Sequence, residues 1–180
     1  MAWNLEKILV YTSIGFLVLA LAIILGYGSL QSASYPWLAN GSYAEYTANV
    51  SLQGLNLTYK IRLELVNSTE DYARLILIFS RIAPGSGEIS TGTADVYFYY
   101  SNKTFILDGL APTTYNTTTI MVNGREYNCI VYTYKDNTGM LYLYVDQETY
   151  FPVRWVFKDS IGGYMDLVYD LTDTNIEGLR

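Results

Sequence analysis

The sequence predicts a mainly β protein: one N-terminal transmembrane helix, then an antiparallel β-meander. The meander is expected to form a curved sheet, half-barrel or sandwich of about 8–10 strands. Three observations predict this. Residues 8–27 are almost wholly apolar, and 8–44 carry no charge. From residue 43 onward apolar and polar residues alternate with period two rather than 3.6. Short clusters of Asn, Asp, Gly and Ser interrupt that alternation at close intervals, as hairpin turns do.

The leader comes first. Twenty helical residues at about 1.5 Å each span about 30 Å, the thickness of a bilayer's hydrocarbon core. The expected division is a membrane or signal anchor over 1–30, a linker over 31–42 and an extracytoplasmic β domain over 43–180. Trp3, Tyr27, Tyr35 and Trp37 are the candidate interfacial rings, because amphipathic aromatics collect at headgroup depth. Lys7 precedes the apolar run and no basic residue follows until Lys60, so the N-terminus is expected in the cytoplasm and the β domain outside. Ser32-Ala33-Ser34 offers a small-residue cleavage site, the alternative being a secreted chain that starts at Tyr35.

The strands follow in order. In 43–52, Ala44, Tyr46, Ala48, Val50 and Leu52 share one face; in 55–66, Leu55, Leu57, Tyr59, Ile61, Leu63 and Leu65 do. Gln53-Gly54 between them is a two-residue hairpin signal. The strand over 72–81 is apolar on both faces and is expected to be central or covered. A Gly- and Ser-rich loop is expected over 83–93, then strands over 94–100 and 104–107. Residues 108–117 read as irregular, with a short helical turn near 108–114. The remaining strands are expected over 118–122, 126–134, 140–145, 153–157 and 164–171.

Composition removes several chemistries. There is no histidine, which excludes a Ser-His-Asp or Cys-His site and imidazole metal ligation. Cys129 is the single cysteine, so no intrachain disulfide forms; in its strand-like setting it reads as a small buried hydrophobe. Net charge is −6, and since Glu6 and Lys7 cancel, all of it lies beyond the leader. An acidic domain with scattered Lys and Arg has no footprint for nucleic acid. Asp136, Asp146, Glu148 and Asp159 fall at turns, where acids serve local capping, so no catalytic pair is expected from them. Asp136-Asn137 and Asp170-x-x-Asp173 offer hard oxygens but match no calcium loop, and no metal or other cofactor is expected. Tyr97, Tyr99, Tyr132, Tyr134, Tyr142 and Tyr144 stand at alternate positions in three strands, a pattern for cross-strand packing or for an aromatic contact surface.

Asn-x-Ser/Thr occurs at Asn40, Asn49, Asn56, Asn67, Asn102 and Asn116, more often than chance gives, and never in the leader. These six are the candidate glycosylation sites.

The segment 126–171 carries a further pattern: an apolar strand, Asp146, Thr149, Pro152, a Val153-Arg154 strand, Asp159, Gly162-Gly163 and another strand. It resembles the C-terminal hairpins of the LolA-like superfamily of lipoprotein carriers. That resemblance implies a curved antiparallel half-barrel whose concave face holds acyl chains, or in some relatives contacts proteins.

The functional expectation is therefore a non-enzymatic, single-pass, N-glycosylated surface protein whose β domain binds a partner protein, a surface component or like subunits. Two alternatives stand beside it. One is a LolA-like binder of lipid or another apolar ligand. The other is a secreted filament subunit, cleaved after Ser34, in which residues 35–44 are donated as a strand to the next chain.

Overall fold

The computed structural model describes residues 35–179 apart from 53–54, 83–84, 86, 138 and 160–165. The expected anchor, with Trp3, Tyr27 and the expected cleavage site at Ser34, lies outside the described residues. The β unit begins at Pro36, earlier than the alternation alone suggested.

Ten strands form one sheet: β1 (Tyr43–Leu52), β2 (Leu55–Ser68), β3 (Tyr72–Ile82), β4 (Glu88–Tyr99), β5 (Thr104–Leu107), β6 (Thr114–Val122), β7 (Arg125–Lys135), β8 (Gly139–Asp146), β9 (Pro152–Asp159) and β10 (Leu167–Thr174). Every pairing is antiparallel and the order is β5-β4-β3-β2-β1-β10-β9-β8-β7-β6. Two meanders, β1–β5 and β6–β10, are thus joined through the β1–β10 ladder. Short turns force this topology, since only neighbours in sequence are reached by a few residues. Among the described turns Asn123-Gly124 has both residues at positive φ (49° and 82°), the mirror-image turn whose twist suits a hairpin.

Period two sorts the side chains onto two faces. One face carries Ala44, Tyr46, Ile61, Leu63, Ala73, Leu75, Val96, Phe98, Phe105, Leu143, Val153 and Trp155, all wholly buried. The sheet curls around this face until strands near its two ends touch. Tyr132 Oη donates to Lys103 O at 2.6 Å and Tyr134 Oη to Phe105 O at 2.9 Å, linking β7 to the opposite edge strand β5. Among the described residues β5 and β6 are not paired with each other, so the curved sheet stays open.

Trp37 seals the core. Its ring meets Phe98 edge-on at 5.3 Å and Phe151 at 5.4 Å, and its Nε1 donates to Thr149 O at 2.9 Å. This corrects two expectations. Trp37 is fully buried in the β unit and so is not an interfacial ring. The supposed donor strand is already in use: Trp37 fills its own core, and Tyr43 and Ala44 open β1, the strand held between β2 and β10. Tyr35 is half-buried.

Three further expectations change. The second half of the loop expected over 83–93 is strand instead: Glu88–Thr93 continue β4 alongside Ile78–Ile82 through a register shift at Phe79/Ser80. Glycine and serine lowered the strand signal there without supplying an alternative to ladder hydrogen bonds. β6 starts at Thr114 rather than 118, since the Tyr-Asn-Thr run has β-branched residues but no buried apolar stripe to announce it. No helical turn forms over 108–114; Asp108 and Gly109 (φ 47° and 81°) instead make a tight turn closed by a Leu107–Leu110 bridge. The remaining strands lie within about three residues of their expected bounds, and the last is Leu167–Thr174 rather than 164–171.

Candidate functional site

Most of the concave face is spent on packing, so the outer face, the sheet edges and the end of the concave face at Tyr59, Phe79 and Ile89 are where side chains reach solvent. Register places each outer-face residue. Glu45, Thr47 and Asn49 of β1 lie opposite Arg62, Lys60 and Thr58 of β2. Lys60 Nζ stands 3.3 Å from Glu45 and 3.4 Å from Glu88, and Arg62 stands 2.6 Å from Glu45 and also pairs with Glu64. The Arg62 guanidinium lies 4.0 Å over the Tyr43 ring, whose hydroxyl donates to Asp173 at 3.0 Å. Desolvation pulls the Lys60 pKa down, but Glu45 and then Glu88 outweigh it and leave it raised. Glu88 is held low by the Ser80 hydroxyl, with Lys60 adding to the effect. The result is an alternating charge ladder with no surplus cation, in keeping with the acidic whole.

The six sequon asparagines are all exposed. Asn40 and Asn102 sit in turns, and the four on strands share one face. Asn49 pairs with Thr58, Asn56 with Ser51, Asn67 with Arg74 and Asn116 with Val131, all on the side away from Tyr46, Ile61 and Leu75. The β1 and β2 sequons interlock: Thr58 Oγ1 donates to Asn49 Oδ1 at 2.9 Å and Ser51 Oγ to Asn56 Oδ1 at 2.6 Å. Both bonds use the amide oxygen and leave Nδ2, the atom a sugar would join, out of the pair.

The tyrosine pattern divides rather than forming one ladder. Tyr132 and Tyr134 point into the core, where burial pushes the Tyr134 hydroxyl far up. Tyr97 and Tyr99 lie on the outer face with Tyr72, ring centroids 5.5 and 5.8 Å away, while Tyr142 and Tyr144 share that face on the other meander.

The acidic turns are structural. Asp146 is buried, and its Oδ2 accepts from Thr149 N at 2.9 Å and Thr149 Oγ1 at 2.8 Å, which fixes the β8–β9 turn before Pro152 opens β9. Asp136 Oδ1 caps its turn by accepting from Gly139 N. Glu148 is exposed and does not join Asp146. Asp170 pairs with Arg154, whose Nη2 also donates to Met121 O at 3.1 Å. Among the described residues no three Cys, Asp or Glu side chains gather as metal ligands.

Sequence reading missed the C-terminal turn. Ile176 and Leu179 are buried, Tyr127 Oη donates to Leu179 O at 3.2 Å, and Arg125 donates to Gly178 O at 2.7 Å. Gly178 has φ +87°, and a Cβ there would lie 3.2 Å from Thr149 Cγ2. The two apolar residues after β10, spaced by three, were the available signal. The turn borders a cleft of 260 Å³ lined by Asn123, Arg125, Tyr127, Asp173 and Leu179 among others. Nearby Cys129 is wholly buried, and burial together with the Asp146 charge pushes its thiol up to about 12, as expected of a packing cysteine.

No protein-family model matches the chain, and no curated protein does. Among solved structures it is similar to a DUF1329 family protein from Desulfovibrio piger, with a TM-score of 0.29 and 10% identity, over 78% of this chain and 87% of that one. It is also similar to a structure described as a "putative outer membrane lipoprotein-sorting protein domain" from Vibrio parahaemolyticus, with a TM-score of 0.25 and 11% identity, over 77% of this chain and 84% of that one.

Proposed function

We propose that this protein is a non-enzymatic, membrane-anchored and N-glycosylated surface protein whose sheet presents a sugar-coated outer face and binds a partner protein or surface component. The observation that carries the reading is the sidedness of the acceptors. Four strand-borne asparagines point to the outer face, none points to the core, and the remaining two occupy exposed turns. The apolar 8–27 run supplies the anchor, with the N-terminus in the cytoplasm and the β unit outside. The test is the intact mass of the protein from its native source, before and after enzymatic deglycosylation, together with detergent fractionation. The expected result is a detergent-soluble chain heavier than its sequence by several glycans. A water-soluble chain of unmodified mass overturns the reading.

A second reading, an apolar-ligand binder, is favoured by one end of the concave face. There Tyr59 and Phe79 are only half-buried and Ile89 is 49% exposed. Native mass spectrometry of the purified protein would show a bound lipid under this reading, and Ile89→Asp would release it. An empty protein excludes it.

A further inference from the structure

The two edges of the sheet are built differently. β5 has four residues, is flanked by Lys103 and Asp108, and is followed at once by a bridge from Leu107 to Leu110. Short length and flanking charge are what keep an edge from recruiting another strand. β6 has nine residues, Thr-Tyr-Asn-Thr-Thr-Thr-Ile-Met-Val, and none of those protections. It holds no charge, proline or glycine, and its only ladder partner among the described residues is β7.

Its backbone polarity follows from the hairpin. In a two-residue hairpin the flanking pair, here Val122 and Arg125, is hydrogen-bonded, so the even-numbered residues of β6 direct N–H and C=O toward β7. Residues 115, 117, 119 and 121 then direct theirs outward.

We infer that β6 is a dimerisation edge that pairs antiparallel with β6 of a second copy, centred on Thr118, to continue one sheet through both molecules. Three features select a second copy as the occupant. First, centring on Thr118 sets Tyr115 opposite the partner's Met121, and the reverse; at 77% and 55% exposed these two have the greatest exposure of the large apolar side chains described. Both lie on the same face of β6, and a thioether against an aromatic ring is a favourable contact. Second, the same register sets Thr117 against Thr119 and Asn116 against Ile120, so no charge opposes another although each molecule is acidic overall. Third, two-fold pairing gives the outward groups of 115, 117 and 119 partners in both copies at once, with Met121 O shared between the partner strand and Arg154 Nη2, which already donates to it at 3.1 Å, and it closes, whereas pairing β6 to β5 would propagate. Asn116 lies on the outer face, so a sugar there projects from the sheet rather than along its edge.

The test uses the full chain in detergent, made in a host that adds no glycan, so that its outcome is independent of the glycosylation reading and of the Asn116 sequon that Thr118 completes. Light scattering should give a protein mass of two chains. Thr118→Lys, which places like charges directly opposite at an exposed position, should return it to one chain with an unchanged circular dichroism spectrum. Thr118→Cys should cross-link to its own copy under mild oxidation, because the facing Cα atoms of such a pair lie about 4.5 Å apart, within disulfide reach. Thr114→Cys, whose facing residue is Val122, should not. A single-chain wild type, a Thr118→Lys protein that remains paired, or cross-linking at 114 but not at 118 would each overturn the inference.

Discussion

The two faces of this sheet use the same residue types for opposite ends. Tyrosine shows it best. On the concave side Tyr46, Tyr132 and Tyr134 are buried, and each hydroxyl donates to a backbone carbonyl of a distant strand or turn: Pro152, Lys103 and Phe105. On the outer side Tyr43, Tyr72, Tyr97 and Tyr99 stack on neighbours or on Arg62 and keep contact with water. With no disulfide and no helix in its described residues, the β unit is held in its curl by buried aromatic rings whose polar tips tie together strands far apart in the sheet. Apart from the buried patch of Tyr127, Cys129 and Val131, which shares the face of Asn116, the outer face contributes little to that curl, which leaves it free to vary in charge. Substitutions on the concave side should therefore be costly and those on the outer side mild.

The largest effect is expected at Trp155, a wholly buried indole packed edge-on against Tyr46 at 5.9 Å. Trp155→Ala should cost about 3–5 kcal/mol, through lost transfer energy and the cavity left behind. Urea denaturation followed by circular dichroism measures it, and a loss below about 1 kcal/mol would mean that the two meanders are not joined by this core.

Next comes alkali. The Cys129 thiol and the Tyr169 hydroxyl are both pushed up to about 12 by burial, so the folded state holds protons that the unfolded state has lost. Stability from these groups is complete below their unfolded values, about 8.5 for Cys and about 10 for Tyr, and is lost as pH rises toward 12, by at most about 1.4 kcal/mol per pH unit for each group. Denaturation midpoints should begin to fall near pH 9, and Cys129→Ala should remove the part of the fall that precedes tyrosine ionisation. A flat profile to pH 11 would place the thiol in water. On the boundary between the faces, Asp146→Ala should cost about 1–2 kcal/mol by stripping Thr149 of its acceptor, while Asp146→Asn, which keeps an acceptor oxygen, should recover most of it.

The contrast between faces also explains what was legible in the sequence. Period two exposed β1 and β2 because their concave positions over 44–52 and 55–65 are apolar, β3 showed as a run apolar on both faces, and the turn at Asn123-Gly124 carried its own conformational signature. The exposed starts of β4 and β6 stayed hidden because neither buries a stripe: Glu88–Thr93 and Thr114–Thr117 are exposed at every position. Their strand form comes from ladder hydrogen bonds to β3 and β7, a tertiary cause that no local pattern reports. Trp37 was misplaced for a related reason. An aromatic beside an apolar leader looks interfacial, and only the approach of Thr149, 112 residues away, shows it belongs to the core. The sequons needed no fold to be found, but their common face did.

The smallest effect is expected within the outer charge ladder, and it is the sharpest test of the contrast. Glu45 holds both Lys60 and Arg62, so Glu45→Gln removes two ion pairs in one step. Each side chain keeps some contact with water (20% for Glu45, 22% for Lys60, 37% for Arg62), and pairs of that kind contribute about 0.2–1 kcal/mol. Lys60 retains Glu88, and Arg62 retains Glu64 and the Tyr43 ring, so neither cation is stranded. Glu45→Gln should therefore shift stability by less than about 1 kcal/mol at low salt and by almost nothing at 1 M salt, where the Debye length falls to about 3 Å. A loss comparable to that of Trp155→Ala, persisting in high salt, would mean that the ladder is shielded from solvent and that this face is covered in the working protein. The glycans or the partner proposed for it would then be part of the folded structure rather than an addition to it.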